Sequence, residues 1–340
     1  MNIKPLVLGV SSHTLEKNEI EILQKINPFG IILFSRNIQS KGQLKELISI
    51  LKTEIRNDLF ILVDQEGGSV QRLSTPEWRA YPNFKNIGDL YNKAAEIALD
   101  FSYLMGRLIS YDLKLTGIEI NCSPCVDIRK EFTSDFLVNR LFSDNSSTVI
   151  ELATQMIRGF RHENIIPIVK HIPGHGRAVD DSHHKLPTVK ASLKELLSDD
   201  FSSFKALNYL PMAMTAHIIY SAIDHKPATI SQKTINFIRE NIGFDGILIT
   251  DDINMNALSG KREENVRASL DAGCDLVLDC SSDNHIYCDF LYDLPNLDKS
   301  YLDKKLDDFR RLKKDEDFTN INNVLKKYCS ILESYSEIFV

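Results

Sequence analysis

Residues 165–183 read Ile165-Ile166-Pro167-Ile168-Val169-Lys170-His171-Ile172-Pro173-Gly174-His175-Gly176-Arg177-Ala178-Val179-Asp180-Asp181-Ser182-His183, and this stretch decides the fold. Its first five residues are apolar, as in a short strand buried on both faces. The character then changes at once. Residues 170 to 183 hold three His, one Lys and two Asp, punctuated by Pro173, Gly174 and Gly176. A core segment does not spend so many titratable side chains on so little chain, and a solvent turn rarely follows an apolar strand so directly. The pattern fits a strand whose C-terminal end opens into a site, with a Gly-containing loop bringing Asp181 and His183 back over the opening. These two residues are close enough for the carboxylate to reach an imidazole nitrogen, which fixes the tautomer and raises the basicity of the ring.

Outward from this strand the same alternation repeats. Apolar runs at Leu6–Val10, Gly30–Phe34, Leu59–Asp64, Ile118–Ser123, Ile166–His171, Met212–Ile218, Gly246–Asp251 and Leu276–Asp279 are the strand candidates. Helical patterns lie between them at Gln43–Ile55, Ala94–Leu113, Val149–His162, Leu193–Leu207, Lys233–Glu240 and Glu263–Ala272. Such alternation predicts an α/β fold with a parallel sheet covered by helices. Eight units predict a single (β/α)8 TIM-type barrel rather than an open doubly wound sheet. A doubly wound fold would also place a G-x-G-x-x-G after the first strand, where this chain has Val10-Ser11-Ser12-His13. Beyond residue 281 the sequence turns Asp- and Lys-rich, which predicts C-terminal helices on the barrel exterior. With no linker, repeat or composition break, residues 1–340 are expected to form one catalytic domain.

Polar residues fall at the strand ends: Asp64, Asn121, Lys170 with His171, His217 and Asp251. In a barrel these positions converge on one mouth, where barrel active sites lie.

Composition narrows the class. A net charge of −7 argues against nucleic acid as the partner. The N-terminus leads straight into a strand with no signal-peptide pattern, and no run is long and apolar enough to span a bilayer. The six Cys show no regular spacing, as in a reducing compartment. These features predict a soluble cytoplasmic protein with no membrane association and no obligate protein partner. Cys122 and Cys125 form a C-x-x-C, but no second ligand pair stands at zinc-site spacing, so packing is their expected role.

Four more motifs accompany the opening one. Asp64-Gln65-Glu66-Gly67-Gly68-Ser69-Val70-Gln71-Arg72 follows the third strand, and its Gly pair lets the chain turn so that Asp64 and Arg72 approach one centre. Asn139-Arg140-Leu141-Phe142-Ser143 lies in the loop after the fourth strand. Thr215-Ala216-His217 ends the sixth, and Ile249-Thr250-Asp251-Asp252-Ile253-Asn254-Met255 ends the seventh. Together these motifs resemble glycoside hydrolase family 3, specifically its short single-domain bacterial β-N-acetylhexosaminidases. The resemblance spans about residues 5 to 280 and implies removal of terminal N-acetylglucosamine from cell-wall fragments during peptidoglycan recycling. It also implies roles: Asp251 as nucleophile, His183 as acid/base partnered by Asp181, and Asp64, Arg72, Arg140, Lys170 and His171 as substrate-binding residues. Asp180 and His184 duplicate the neighbouring pair, and the motif alignment chooses between them. Larger members take the acid/base carboxylate from a second domain that this chain does not have. Gln65 and Ser69 depart from residues common in relatives.

The chemistry suits these roles. A retaining glycosidase needs a carboxylate beneath the anomeric carbon and a proton donor at the leaving oxygen. Asp251, ending an apolar strand, fits the first; a His-Asp pair replaces the usual second carboxyl group. Asp252 is expected to anchor the loop. No metal and no cofactor is required. Two alternatives use the same residues: a phosphorylase, with phosphate replacing water as acceptor, and a metal-dependent barrel hydrolase with His171, His175, His183 and Asp251 as ligands.

Overall fold

Strands that are apolar on both faces need cover on both, and a closed sheet ringed by helices supplies it. The computed structural model describes residues 2–182, 184–281, 289–311 and 319–339. Its eight-stranded sheet consists of β1 (Lys4–Gly9), β2 (Pro28–Leu33), β3 (Phe60–Val63), β4 (Ile120–Asn121), β5 (Ile166–Ile172), β6 (Met212–Thr215), β7 (Ile247–Thr250) and β8 (Val277–Asp279). Each strand pairs in parallel with the next from β1 to β7, and β8 pairs back onto β1. Between β7 and β8 the ring closes through the bridge Ile249–Leu276, where the Thr250 N–H donates to the Leu276 carbonyl at 3.0 Å. Every residue of β2, β5, β6 and β7 is buried. This is the (β/α)8 barrel that the apolar runs predict.

The helices form where the sequence repeats apolar residues at helical spacing. Lys41–Glu54 buries Leu44, Leu47, Ile48 and Leu51, and Ser40 caps its first turn by accepting from the Gln43 N–H. Ala95–Thr116 and Ser146–His162 cross backbone to backbone at Gly106 and Gly159. A Cβ on Gly106 would stand 2.3 Å from the Met156 carbonyl oxygen, so only glycine fits there. The C-terminal helices pack on the outside as expected. Lys299–Arg311 buries Leu302, Leu306 and Phe309, and Ile321–Ser334 stacks Tyr328 on Phe101 with centroids 4.7 Å apart. No helix among the described residues is long and apolar enough to cross a membrane.

Several elements differ from the sequence reading, among them the sixth strand, expected over Met212–Ile218, which ends at Thr215 and leaves His217 beyond it. The helix expected over Leu193–Leu207 is two short ones, Leu193–Ser198 and Ser202–Ala206. They part at Asp199 and Asp200 because those carboxylates leave the helix to bind Lys130 and Arg177. The fourth strand shrinks to Ile120–Asn121, since Pro124 has no N–H to give the ladder; pairing resumes where Cys125 faces Lys170. The helix expected over Lys233–Glu240 runs as Gln232–Phe237 and then widens into a π turn, Ile238–Ile242.

Candidate active site

The C-terminal ends of the strands surround a cavity of about 380 Å³. Asp64, Arg72, Arg140, Lys170, His171 and Asp251 all line it, so these residues, spread over 188 positions of sequence (251 − 64 + 1), meet at one place. Phe34, Phe136, Met214, Met255 and Leu278 supply its apolar wall.

Asp64 stands just beyond β3. The chain turns there into a two-stranded hairpin, Gln65–Gly67 with Val70–Gln71. Gly67 and Gly68 make the turn at φ 119° and 57°, values that L side chains rarely adopt. The hairpin returns Arg72 to Asp64, with Nη2 3.2 Å from Oδ2. Gln65 braces the turn from inside: its Oε1 accepts from the Arg72 and Leu73 N–H groups.

Lys170 and His171 are adjacent in β5, and in a regular strand they would point to opposite faces. Both line the cavity because the register against β6 shifts between Lys170 and Ile172. Lys170 Nζ lies 2.8 Å from Asp64 Oδ1 and 2.7 Å from Glu66 Oε1. Arg140 closes the network with a two-point pair on Glu66, Nε to Oε2 at 3.0 Å and Nη2 to Oε1 at 2.8 Å. Burial opposes ionisation of Asp64 and Glu66, but the cations outweigh it. Lys170 and Arg72 hold the Asp64 carboxyl far below its ordinary range, and Arg140 and Lys170 lower that of Glu66. Burial likewise opposes charge on Lys170 and Arg140, and their carboxylate partners raise both above the ordinary range. Arg72, Lys170 and Arg140 are thus paired with two carboxylates, Asp64 and Glu66.

His171 sits between two acids. Its Nδ1 is 2.8 Å from Asp127 Oδ2, and its Nε2 is 3.9 Å from Asp251 Oδ2. Asp127 also accepts from the His171 N–H at 3.1 Å, the His175 N–H at 2.6 Å and the Cys125 thiol at 3.2 Å. Burial pushes the Asp127 carboxyl up, and the His171 hydrogen bond and charge bring it down to about 2. A carboxylate there can only accept, so Nδ1 of His171 carries the hydrogen and Nε2 faces the pocket.

Asp251 follows β7. Burial would raise its carboxyl, but the charge of His171 and the Asp252 N–H, 2.8 Å from Oδ1, hold it below the ordinary carboxylate range. Asp252 anchors the loop as expected: its Oδ1 accepts from the Asn254 and Cys280 N–H groups at 3.2 and 3.1 Å.

Two strand-end residues do not reach the pocket wall. Asn121 accepts from the Gln65 N–H at 2.9 Å and donates to its carbonyl at 3.0 Å, so it holds the hairpin base. His217 is fully buried; its Nε2 donates to the Asp252 carbonyl at 3.0 Å, and Nδ1 meets the Thr229 hydroxyl at 2.7 Å. Burial lowers its pKa, in keeping with a neutral brace behind the Asp251–Asp252 loop. Both polar groups are needed to build the mouth rather than to meet a ligand.

His183 lies outside the described residues. Asp181 adjoins Ser182, which lines the cavity; Asp181 Oδ2 is 4.0 Å from His184 Nε2. Two residues of the site escape the strand-end pattern, Glu66 and Asp127. Glu66 lies inside the Asp64–Arg72 motif, and the one sequence signal for Asp127 is an acid in the largely apolar stretch Cys122–Ile128. The donor atoms of Cys125, Asp127 and His171 lie within 4.8 Å of one another. They do not fit a metal, because each is spent on the others: burial and Asp127 hold Cys125 as a thiol, and its S–H and the His171 Nδ1–H both point to Asp127.

A parallel barrel whose strand ends surround a polar pocket with a buried, ionised carboxylate is the frame of a barrel enzyme. The Glycosyl hydrolase family 3 N terminal domain is matched over residues 3–305, and the chain belongs to this family. A beta-hexosaminidase of Alkalilimnicola ehrlichii is 35% identical over 286 residues, covering 83% of this chain and 82% of its own. A beta-hexosaminidase of Bordetella pertussis is 32% identical over 284 residues, covering 82% and 80%. The crystal structure of NagZ from Neisseria gonorrhoeae in complex with N-trifluoroacetyl-D-glucosamine is 28% identical and covers 100% of this chain and 99% of that one, with a TM-score of 0.85.

Proposed function

We propose that the protein is a retaining exo-β-N-acetylglucosaminidase, with residues 1–340 acting as one catalytic domain. Its substrates are peptidoglycan fragments in which N-acetylglucosamine is β-linked to anhydro-N-acetylmuramic acid, and it recycles them in the cytoplasm. The observation that carries the reading is Asp251: an ionised carboxylate at the pocket wall, with His171 Nε2 3.9 Å away and the backbone fixing one of its oxygens. The relatives named beta-hexosaminidase and the N-acylglucosamine bound to the Neisseria gonorrhoeae structure support the sugar assignment. A cavity of about 380 Å³ suits one terminal ring and its acyl arm better than an extended glycan.

In the first step Asp251 Oδ attacks the anomeric carbon while the bond to the leaving oxygen breaks. His183, charged with the help of Asp181, gives that oxygen its proton. In the second step His183 takes a proton from water, the water oxygen bonds to the anomeric carbon, and Asp251 leaves. Asp64 accepts from sugar hydroxyls, with Lys170 and Arg72 keeping it ionised, and Arg140 and Lys170 are held in place by Glu66. His171 presents Nε2 between Asp251 and the sugar. Water is the acceptor in this reading, and comparing the product in phosphate and phosphate-free buffer separates it from phosphorolysis.

The test is release of 4-nitrophenol from its β-N-acetylglucosaminide beside the β-glucoside. The acetamide should be required, with kcat/KM for the glucoside lower by at least about a hundredfold. Comparable rates on the two would remove the N-acetylglucosamine assignment.

A further inference from the structure

We infer that His175 is a positioning residue whose hydrogen bond to Ser182 pins the segment that carries Asp181, the proposed partner of the acid/base, to the pocket wall. This rests on the proposed acid/base role of His183 and Asp181.

The inference begins with an expensive side chain. His175 is 1% exposed, stands in the cavity wall, and packs edge-on against His171 and Phe136 with centroids 5.3 and 5.8 Å apart. Among the described residues its Nδ1, also buried, has no hydrogen-bond partner. Its Nε2 has one, the Ser182 hydroxyl at 3.1 Å. A buried imidazole with one nitrogen unsatisfied costs stability, and the bond it does make, to Ser182, is the contact that offsets this. With Nε2–H donating to Ser182, the orphan is a lone pair; the other tautomer would strand a donor instead.

Both ends of this hydrogen bond are fixed or fixing. The His175 N–H is tied to Asp127 at 2.6 Å, and its carbonyl accepts from the Ala178 N–H at 3.0 Å. Asp127 is the same residue that holds His171. Ser182 is itself 1% exposed, although Asp180 and His184 on either side reach solvent. One frame, Asp127, therefore sets His171 against Asp251 on one side and the Ser182 segment on the other. Burial and the nearby charge of His171 push the His175 pKa down to about 4, so the ring stays neutral at working pH and does not compete as an acid.

The experiment measures kcat/KM for Ser182→Ala, His175→Leu and the double variant across a leaving-group series, from dinitrophenyl to alkyl β-N-acetylglucosaminides, with His183→Ala alongside. Proton donation matters most for the poor leaving groups. Each single variant should lose about tenfold there, the rate equivalent of one hydrogen bond, and under about twofold with dinitrophenyl. The double variant should be no worse than the worse single, since both remove one interaction. His175→Gln, which can present a donor at the Nε2 position, should recover part of the loss. Flat losses across the series, or multiplicative losses in the double variant, overturn the inference. If His183→Ala shows the leaving-group dependence and the other variants do not, the positioning role alone fails. If His183→Ala is itself flat, the acid/base reading fails and takes this inference with it.

Discussion

His171 Nε2 stands 3.9 Å from Asp251 Oδ2, too far for a hydrogen bond and close enough for both to touch one substrate oxygen. The separation is set from behind. Asp127 grips His171 at both its backbone N–H and its Nδ1, so the ring cannot swing onto Asp251 and neutralise it. The Asp251 carboxylate is left ionised and oriented at the pocket wall.

If Asp251 forms the glycosyl intermediate, Asp251→Asn should lower kcat by at least about ten-thousandfold, because the covalent route is lost. The fold should survive, since the substitution is nearly isosteric. Steady-state rates with circular dichroism check both; a variant keeping several per cent of wild-type kcat removes Asp251 from this role.

Acid assistance by His183 predicts a different signature. His183→Ala should cost little on dinitrophenyl glycosides and orders of magnitude on alkyl ones, with Asp181→Ala a milder version of the same slope. The measurement is kcat/KM against leaving-group pKa, and equal losses along the series would contradict the assignment.

Asp127 makes an acid-range prediction. Its carboxyl is held at about 2 in the folded protein, against about 3.9 when unfolded. A depressed carboxyl stabilises the fold above the unfolded value and loses that contribution as pH falls through the folded one. Roughly 2–3 kcal/mol should therefore be present above about pH 4 and disappear towards pH 2. Urea unfolding across this range should show a shallower acid dependence in Asp127→Asn than in wild type. Unchanged acid dependence would mean that the carboxylate is not held as described.

Glu66 binds Arg140 at two points and Lys170 at one. Glu66→Gln leaves two buried cations short of a partner, which should cost about 3–5 kcal/mol of stability and raise KM. Denaturant midpoints and KM report on this directly. A loss under about 1 kcal/mol would show that the network is not what holds the pocket.

The barrel was legible because its strands are apolar on both faces, a pattern that few other folds require. Asp64, Arg140, Lys170 and Asp251 were legible because a charged residue ending an apolar strand, or set in a motif beside one, has little structural reason to be there. Asn121 and His217 follow the same pattern yet serve as braces, and sequence position alone cannot separate a residue facing the mouth from one facing a neighbouring loop. Lys170 and His171 share the pocket only through a register shift, which alternation does not reveal. Asp127 was hidden because its importance comes from four donors converging in space, two of them backbone N–H groups that any sequence would supply.

In the proposed reaction Asp251 attacks the anomeric carbon directly. A carboxylate in contact with the sugar leaves no room for a water on that face, so two displacements must return the starting configuration. Proton NMR of the first-formed sugar during hydrolysis decides it. β-N-acetylglucosamine should appear first, with the α-anomer growing in only as the product mutarotates; α-N-acetylglucosamine appearing first would rule out direct attack by Asp251.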